Sequence, residues 1–276
     1  MLLAMQRNQN VGVLLANLKM PPAQVVDAVR TLVTTGQAGG LTQEQINSIA
    51  RSLATPDERK TLSKYTGAVG ELSEAEQMLI GLTELPALEE RLACAKLVAS
   101  FKERVGGVCA AGDTLKGACA EVCGNPLLHL ILKIALIIGN FLNAGAPQGS
   151  AIGFQLDTLL KLKDVRATNN KAVTLMHFIA RELQAKHPGA DCLKEQLELA
   201  PQAARLNLAT VREELRDLKT ALRQMGKVLD APAEATGDAP EFRQFLGSFY
   251  ADATAGAAAA EAGLDEADKK AGRGRQ

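Results

Sequence analysis

"LATVREELRDLKTALRQMGKVLD", residues 208–230, places Leu208, Val211, Leu215, Leu218, Leu222, Met225 and Leu229 at steps of 3, 4, 3, 4, 3 and 4. Alternating threes and fours keep one apolar seam on one side of a helix, because 3.5 residues bring the chain back to nearly the same face. A strand would need alternation every second residue, which is hard to find anywhere in the chain. This segment therefore predicts a long helix packed lengthwise on another.

Helix-start signals recur upstream of it. Thr42 to Gln45, Thr55-Pro56-Asp57-Glu58 and Ser73 to Glu76 each set a hydroxyl three residues before Glu or Gln, the spacing at which side chain and backbone cap each other reciprocally. The expected fold is all-α; at 276 residues one large domain, two small ones or one elongated domain are open. The sequence divides into a helical unit over 1–72, connecting helices over 73–125 interrupted by Gly106, Gly107 and Gly112, and a second unit over 126–230 that includes the heptad helix. Residues 231–276 are rich in Ala, Gly and charge. Such a composition is expected to bury too little surface to fold, leaving a disordered or loosely helical tail.

Composition narrows function. Hydrophobic residues make up 47% and charged residues 22%, with 3% aromatics and no Trp. Lys plus Arg equals Asp plus Glu at 31 each, so no whole-molecule field draws the chain to nucleic acid or to a membrane. The apolar run "LLHLILKIALII", residues 127–138, is too short to span a bilayer and contains His129 and Lys133, which predicts a buried helix. The five cysteines form no CxxC, and the N-terminus lacks the apolar core of a leader, so a cytoplasmic protein with reduced thiols is expected. Cys119 and Cys123 are one helical turn apart but have no histidine at a ligand spacing; they read as buried structural thiols, and no metal or cofactor is expected. No Ser or Cys stands in a nucleophile motif, so no enzymatic activity is expected.

Two stretches carry the functional reading. In "GNFLNAG", residues 139–145, Gly139, Asn140 and Asn143 fall at the end of an apolar helix, where Gly139 leaves room for close approach at about 1 kcal/mol of helix propensity relative to Ala. Gly145 suits a left-handed helix end. These residues fit a polar cap of a core helix and a docking surface equally well. In "LKDVRATNNKAVTLMHFIA", Thr168 or Asn169 is expected to cap a helix whose first turn holds Lys171. A cation there opposes the helix dipole; with Lys161, Lys163 and Arg166 it forms a basic patch, broken mainly by Asp157 and Asp164, which fits a solvated loop and, by the unfavourable placement of Lys171, points rather toward an acidic partner.

The order and spacing of "QRNQNVGVLLANLKMPP" (6–22), "GNFLNAG" (139–145) and "GFQLDTLLKLKDVRATNNKAVTLMHFIA" (153–180) resemble the formin homology-2 domain, the actin-assembling domain of formins, over about residues 5–230. The resemblance implies an elongated, multi-subdomain fold of helical knob, coiled coil and post, preceded by a lasso and linker, that pairs head to tail around the barbed end of an actin filament. It implies actin contacts at Val13, where the family usually has Ile, at Arg166, where Lys is usual, and at Lys171, with Lys163 in the same basic patch. It further implies a post surface at Gly139, Asn140, Phe141, Asn143, Gly145 and Phe154 that receives the lasso of another subunit. Val for Ile trims one methylene, worth about 0.8 kcal/mol if buried in the contact. The tryptophan-bearing lasso, the linker and part of the last helical segment are not recognisable, so the chain is expected to be a fragment, a degenerate copy or the product of a truncated gene model, mainly monomeric. The alternative reading is a helical scaffold that has lost actin assembly.

Overall fold

The computed structural model describes residues 2–36, 39–187, 190–231 and 240–273. Its helices, in chain order, are α1 (Met5–Leu18), α2 (Pro22–Thr35), α3 (Gln43–Arg51), α4 (Pro56–Leu62), α5 (Glu74–Thr83), α6 (Leu88–Gly124), α7 (Pro126–Leu142), α8 (Thr158–Lys161), α9 (Leu175–Lys186), α10 (Leu199–Ala203), α11 (Leu208–Asp230) and α12 (Pro240–Arg273). No strand forms among the described residues; Arg166 and Thr174 make one isolated bridge. The fold is all-α.

The three anticipated capping boxes form at Thr42/Gln45, Thr55/Glu58 and Ser73/Glu76, starting α3, α4 and α5. Gly106, Gly107 and Gly112 do not interrupt the middle of the chain, because α6 runs through all three. Its ladder of i to i−4 hydrogen bonds tolerates these glycines, each costing about 1 kcal/mol, when packing supplies the rest.

Contacts divide the chain into two compact units, Met1–Val108 with Ala209–Glu261, and Cys109–Leu208 with Ala262–Gln276. The first unit has two buried clusters. In one, α1 to α5 gather Val11, Leu15, Val25, Val29, Ile49, Met78 and Leu79. In the other, Cys94, Leu97 and Phe101 of α6 meet Leu218, Leu222 and Met225 of α11 and Phe242, Leu246, Ala253 and Ala257 of α12. The heptad seam of α11 thus packs in the first unit, whereas the sequence boundary had grouped it with residues 126–207.

The tail expectation is overturned over Pro240–Arg273. Along α12 the buried positions Phe242, Leu246, Ala253, Ala257, Ala260, Leu264 and Ala267 continue a heptad rhythm in which most of the knobs are alanines. Alanine is the best helix former and its small side chain permits close helix approach, so low hydrophobicity here marks tight packing. Phe242 lies under the Arg91 guanidinium at 5.8 Å, and Phe249 meets Phe101 edge-on at 5.5 Å. Gly36 ends α2 with a φ of 76°, and the Phe245 ring occupies the space a side chain would need there.

Glu76, only 1% exposed, ties the N-terminal segment to α5. Its carboxylate accepts the N–H of Leu3 at 3.1 Å, the N–H of Leu2, and the Ser73 hydroxyl at 2.9 Å. Burial by itself would raise its pKa; the hydrogen bonds from Leu3, Leu2 and Ser73 outweigh that and hold it below 4.5. An acid with a depressed folded pKa adds stability that is present above the ordinary value and is lost as pH falls through the folded one. Melting temperature should therefore drop as pH is lowered from about 4.5. The Glu76→Gln variant should start lower at neutral pH and fall less; parallel curves for the two proteins would exclude this role.

In the second unit, Ala135 of α7 and Ile179 and Leu183 of α9 form the buried centre, with Ile131, Ile134, Ile138, Phe154 and Leu162 around it. Asn125, which starts α7, accepts from the Leu128 N–H and donates to Gln196 at 2.8 Å. Glu121 receives the Leu199 and Ala200 N–H groups at the start of α10. Among the described residues no single helix is long and apolar enough to cross a membrane.

Candidate partner-docking surface

Helix α7 was expected to be buried, yet Ala135 alone among its residues is fully covered. Ile137, Phe141 and Leu142 are 59%, 78% and 57% exposed, and in the loop that follows Ile152 is 102% and Leu156 50% exposed. One stripe of α7 packs on α9, and among the described residues these side chains stay exposed. Exposed apolar side chains gathered at one place are a mark of partner surfaces.

The glycine and asparagines at the end of α7 build this surface. Nothing within 4 Å would oppose a side chain at Gly139, so the space it leaves is open to an incoming group. Asn140 faces inward: its amide donates to Ala151 O at 2.9 Å, and its oxygen accepts the Ala151 N–H at 3.0 Å. Both hydrogen-bonding ends are engaged in folding the loop back on α7. Asn143 caps the helix, donating to Gly139 O at 2.8 Å, and Gly145 follows with a φ of 89°. Phe154, held by that loop, forms with Leu132, Lys133, Leu136, Gly153 and Leu156 a cleft of about 240 Å³.

The basic stretch is a turn. The Ala167 and Leu175 N–H groups bond Val173 O and Val165 O at 2.9 and 2.8 Å, and Asn170 closes the tip by accepting the Ala172 N–H. Helix α9 begins at Leu175, capped by Thr174, with the His177 ring taking the place of Glu or Gln in the box: its Nδ1 accepts the Thr174 N–H at 3.2 Å. The expected cap at Thr168 or Asn169 is thus displaced by six or five residues, because a Thr-x-x-His box does not match the usual signature. Lys171 accordingly stands outside the helix, and no dipole penalty applies to it. Arg166 Nη1 donates to Lys171 O at 3.0 Å, fixing the two cations on one turn. Lys163, Arg166 and Lys171 are all exposed, and none is ion-paired among the described residues.

Val13 belongs to the first unit. Helix α1 buries Val11, Leu14, Leu15 and Leu18 and leaves Val13 61% exposed. Cys119 is half-buried and Cys123 exposed, which corrects their reading as buried thiols. Burial, and then the neighbouring Cys123, raise the Cys119 pKa. Among the described residues no cluster of three or more His, Cys, Asp or Glu side chains could hold a metal.

The description of the Formin Homology 2 Domain matches residues 1–273, through α12. Formin-like protein 6 of Oryza sativa subsp. japonica is 31% identical over 255 residues, 92% of this chain and 18% of that protein. Formin-like protein 16 of Arabidopsis thaliana is 31% identical over 253 residues, 91% of this chain and 34% of that protein. The chain thus spans from under a fifth to about a third of the length of these relatives.

Proposed function

The chain belongs to the formin homology 2 family, and on that premise we propose that it is an actin-binding module that contacts the filament barbed end in the cytoplasm and, when paired with another such subunit, supports nucleation or elongation. In the proposed assignment residues 1–72 are the knob, 73–125 the connecting coiled coil and 126–230 the post. Val13 makes an apolar contact, and Lys163, Arg166 and Lys171 meet acidic groups. The end of α7 with its loop, through Gly139, Phe141, Gly145 and Phe154, receives the partner's lasso. Asn140 and Asn143 shape that surface from within.

The observation that carries this reading is the basic turn at 163–171, exposed and without carboxylate partners among the described residues, in the same unit as the exposed apolar end of α7. Exposed cations alone are ordinary on a surface; it is their presence beside gathered exposed apolar side chains that marks a partner surface.

The test is co-sedimentation with actin filaments. Lys171→Asp reverses a charge facing an acidic surface, and Val13→Asp places a carboxylate in an apolar contact. Each should weaken binding about tenfold or more, on the scale of 1.4 kcal/mol per decade. Both side chains are exposed, so melting temperature should hold. Binding equal to that of the parent in both variants would exclude the assigned contacts, and failure of the parent to pellet would favour a scaffold without assembly activity.

A further inference from the structure

Helix α11 segregates its charges. Its five cations, Arg212, Arg216, Lys219, Arg223 and Lys227, succeed one another at steps of 4, 3, 4 and 4, which at 3.6 residues per turn confines them to a sector of about 80°. Glu213, Glu214 and Asp217 lie on other sides of the helix, and Glu214 is taken by Arg104; Asp230 shares the cation face at the last residue of the helix, beyond the groove. The first four cations, with Leu215 and Thr220 and with Glu261 of α12, line an open groove of about 500 Å³ within the first unit. Glu261 is occupied already, since Lys219 Nζ meets both of its oxygens at 2.8 Å. Arg216 Nε donates only to the Arg212 carbonyl, at 3.3 Å, and no carboxylate pairs with Arg216 or Arg223 among the described residues.

A solvated helix face ordinarily mixes its charges, because like charges three or four residues apart destabilise the helix that carries them. Here four successive neighbours share one sign, in a chain whose cations and anions balance at 31 each. We propose that this groove docks an acidic helical segment of a partner protein, whose carboxylates at i and i+7 match the spacing of Arg216 and Arg223. The site lies outside the surface assigned above to actin and the lasso. The groove is cut between two helices, so a flat lipid surface reaches its rims and not its floor. Among the described residues no aromatic ring lines it to stack a base, the feature that single-stranded nucleic acid sites use.

The experiment uses the whole chain and a fluorescent alanine-based helical peptide with glutamates at i and i+7, read by anisotropy at low and physiological salt. Its counterpart carries glutamines at the same positions. Saturable, salt-sensitive binding of the glutamate peptide is expected, weakened about tenfold or more by Arg216→Glu with Arg223→Glu and by a smaller factor when both are changed to Gln. Lys171→Asp should leave it unchanged, which separates this groove from the basic turn. Both arginines are exposed, and an unchanged melting temperature checks the fold. Equal binding of the glutamine peptide, equal binding by the charge-reversed variant, or tighter binding of anionic lipid vesicles or inorganic polyphosphate than of the glutamate peptide would each overturn the proposal.

Discussion

Replacing Phe242 with alanine should destabilise the chain by about 3–5 kcal/mol, the usual range for emptying a large aromatic site in a core. The side chain is 0% exposed, stands under Arg91, and joins α12 to the cluster formed by α6 and α11. Net stabilities of about 5–15 kcal/mol leave little margin for such a loss, so the melting temperature should fall by on the order of 10 °C. Phe245→Ala on the same helix, at a partly buried position, should cost less. If residues 240–273 were a loose tail, both variants would melt like the parent, and differential scanning calorimetry distinguishes the two outcomes directly.

The second large effect concerns the cleft at Phe154 and rests on the proposed lasso-receiving role. A tryptophan-bearing peptide from a formin lasso should seat its ring in the cleft of about 240 Å³ and raise the melting temperature by mass action, by about 2.7 kcal/mol of added stability at a hundredfold excess over Kd. Leu156→Asp should abolish that rise, because it puts a carboxylate at the mouth of an apolar site without a partner. Leu156 is 50% exposed, so the variant alone should melt within about 0.5 kcal/mol of the parent. An undiminished rise in the variant would move the docking site elsewhere.

The elements legible in the sequence were those specified by residues three or four apart. The capping boxes at Thr42, Thr55 and Ser73 and the seam from Leu208 to Leu229 appear where they were expected, because a cap or a helical stripe is chosen by its own turn. The three family stretches around Val13, Gly139 and Lys171 likewise pointed to the family. Other features depended on what lies across the contact. Alanine at 253, 257 and 260 resembles a disordered composition until α6 and α11 stand against it, since a small side chain buries little area alone and gains its packing from a close neighbour. The face of α7 that carries Phe141 looks like core until the second unit covers only one stripe of it. Asn140 is equally polar whether it serves a partner or its own loop; only the fold, by bringing Ala151 within 3.0 Å, gave that amide an internal partner. Burial and hydrogen-bond pairing are properties of two segments at once, and a pattern read along one segment holds half of each.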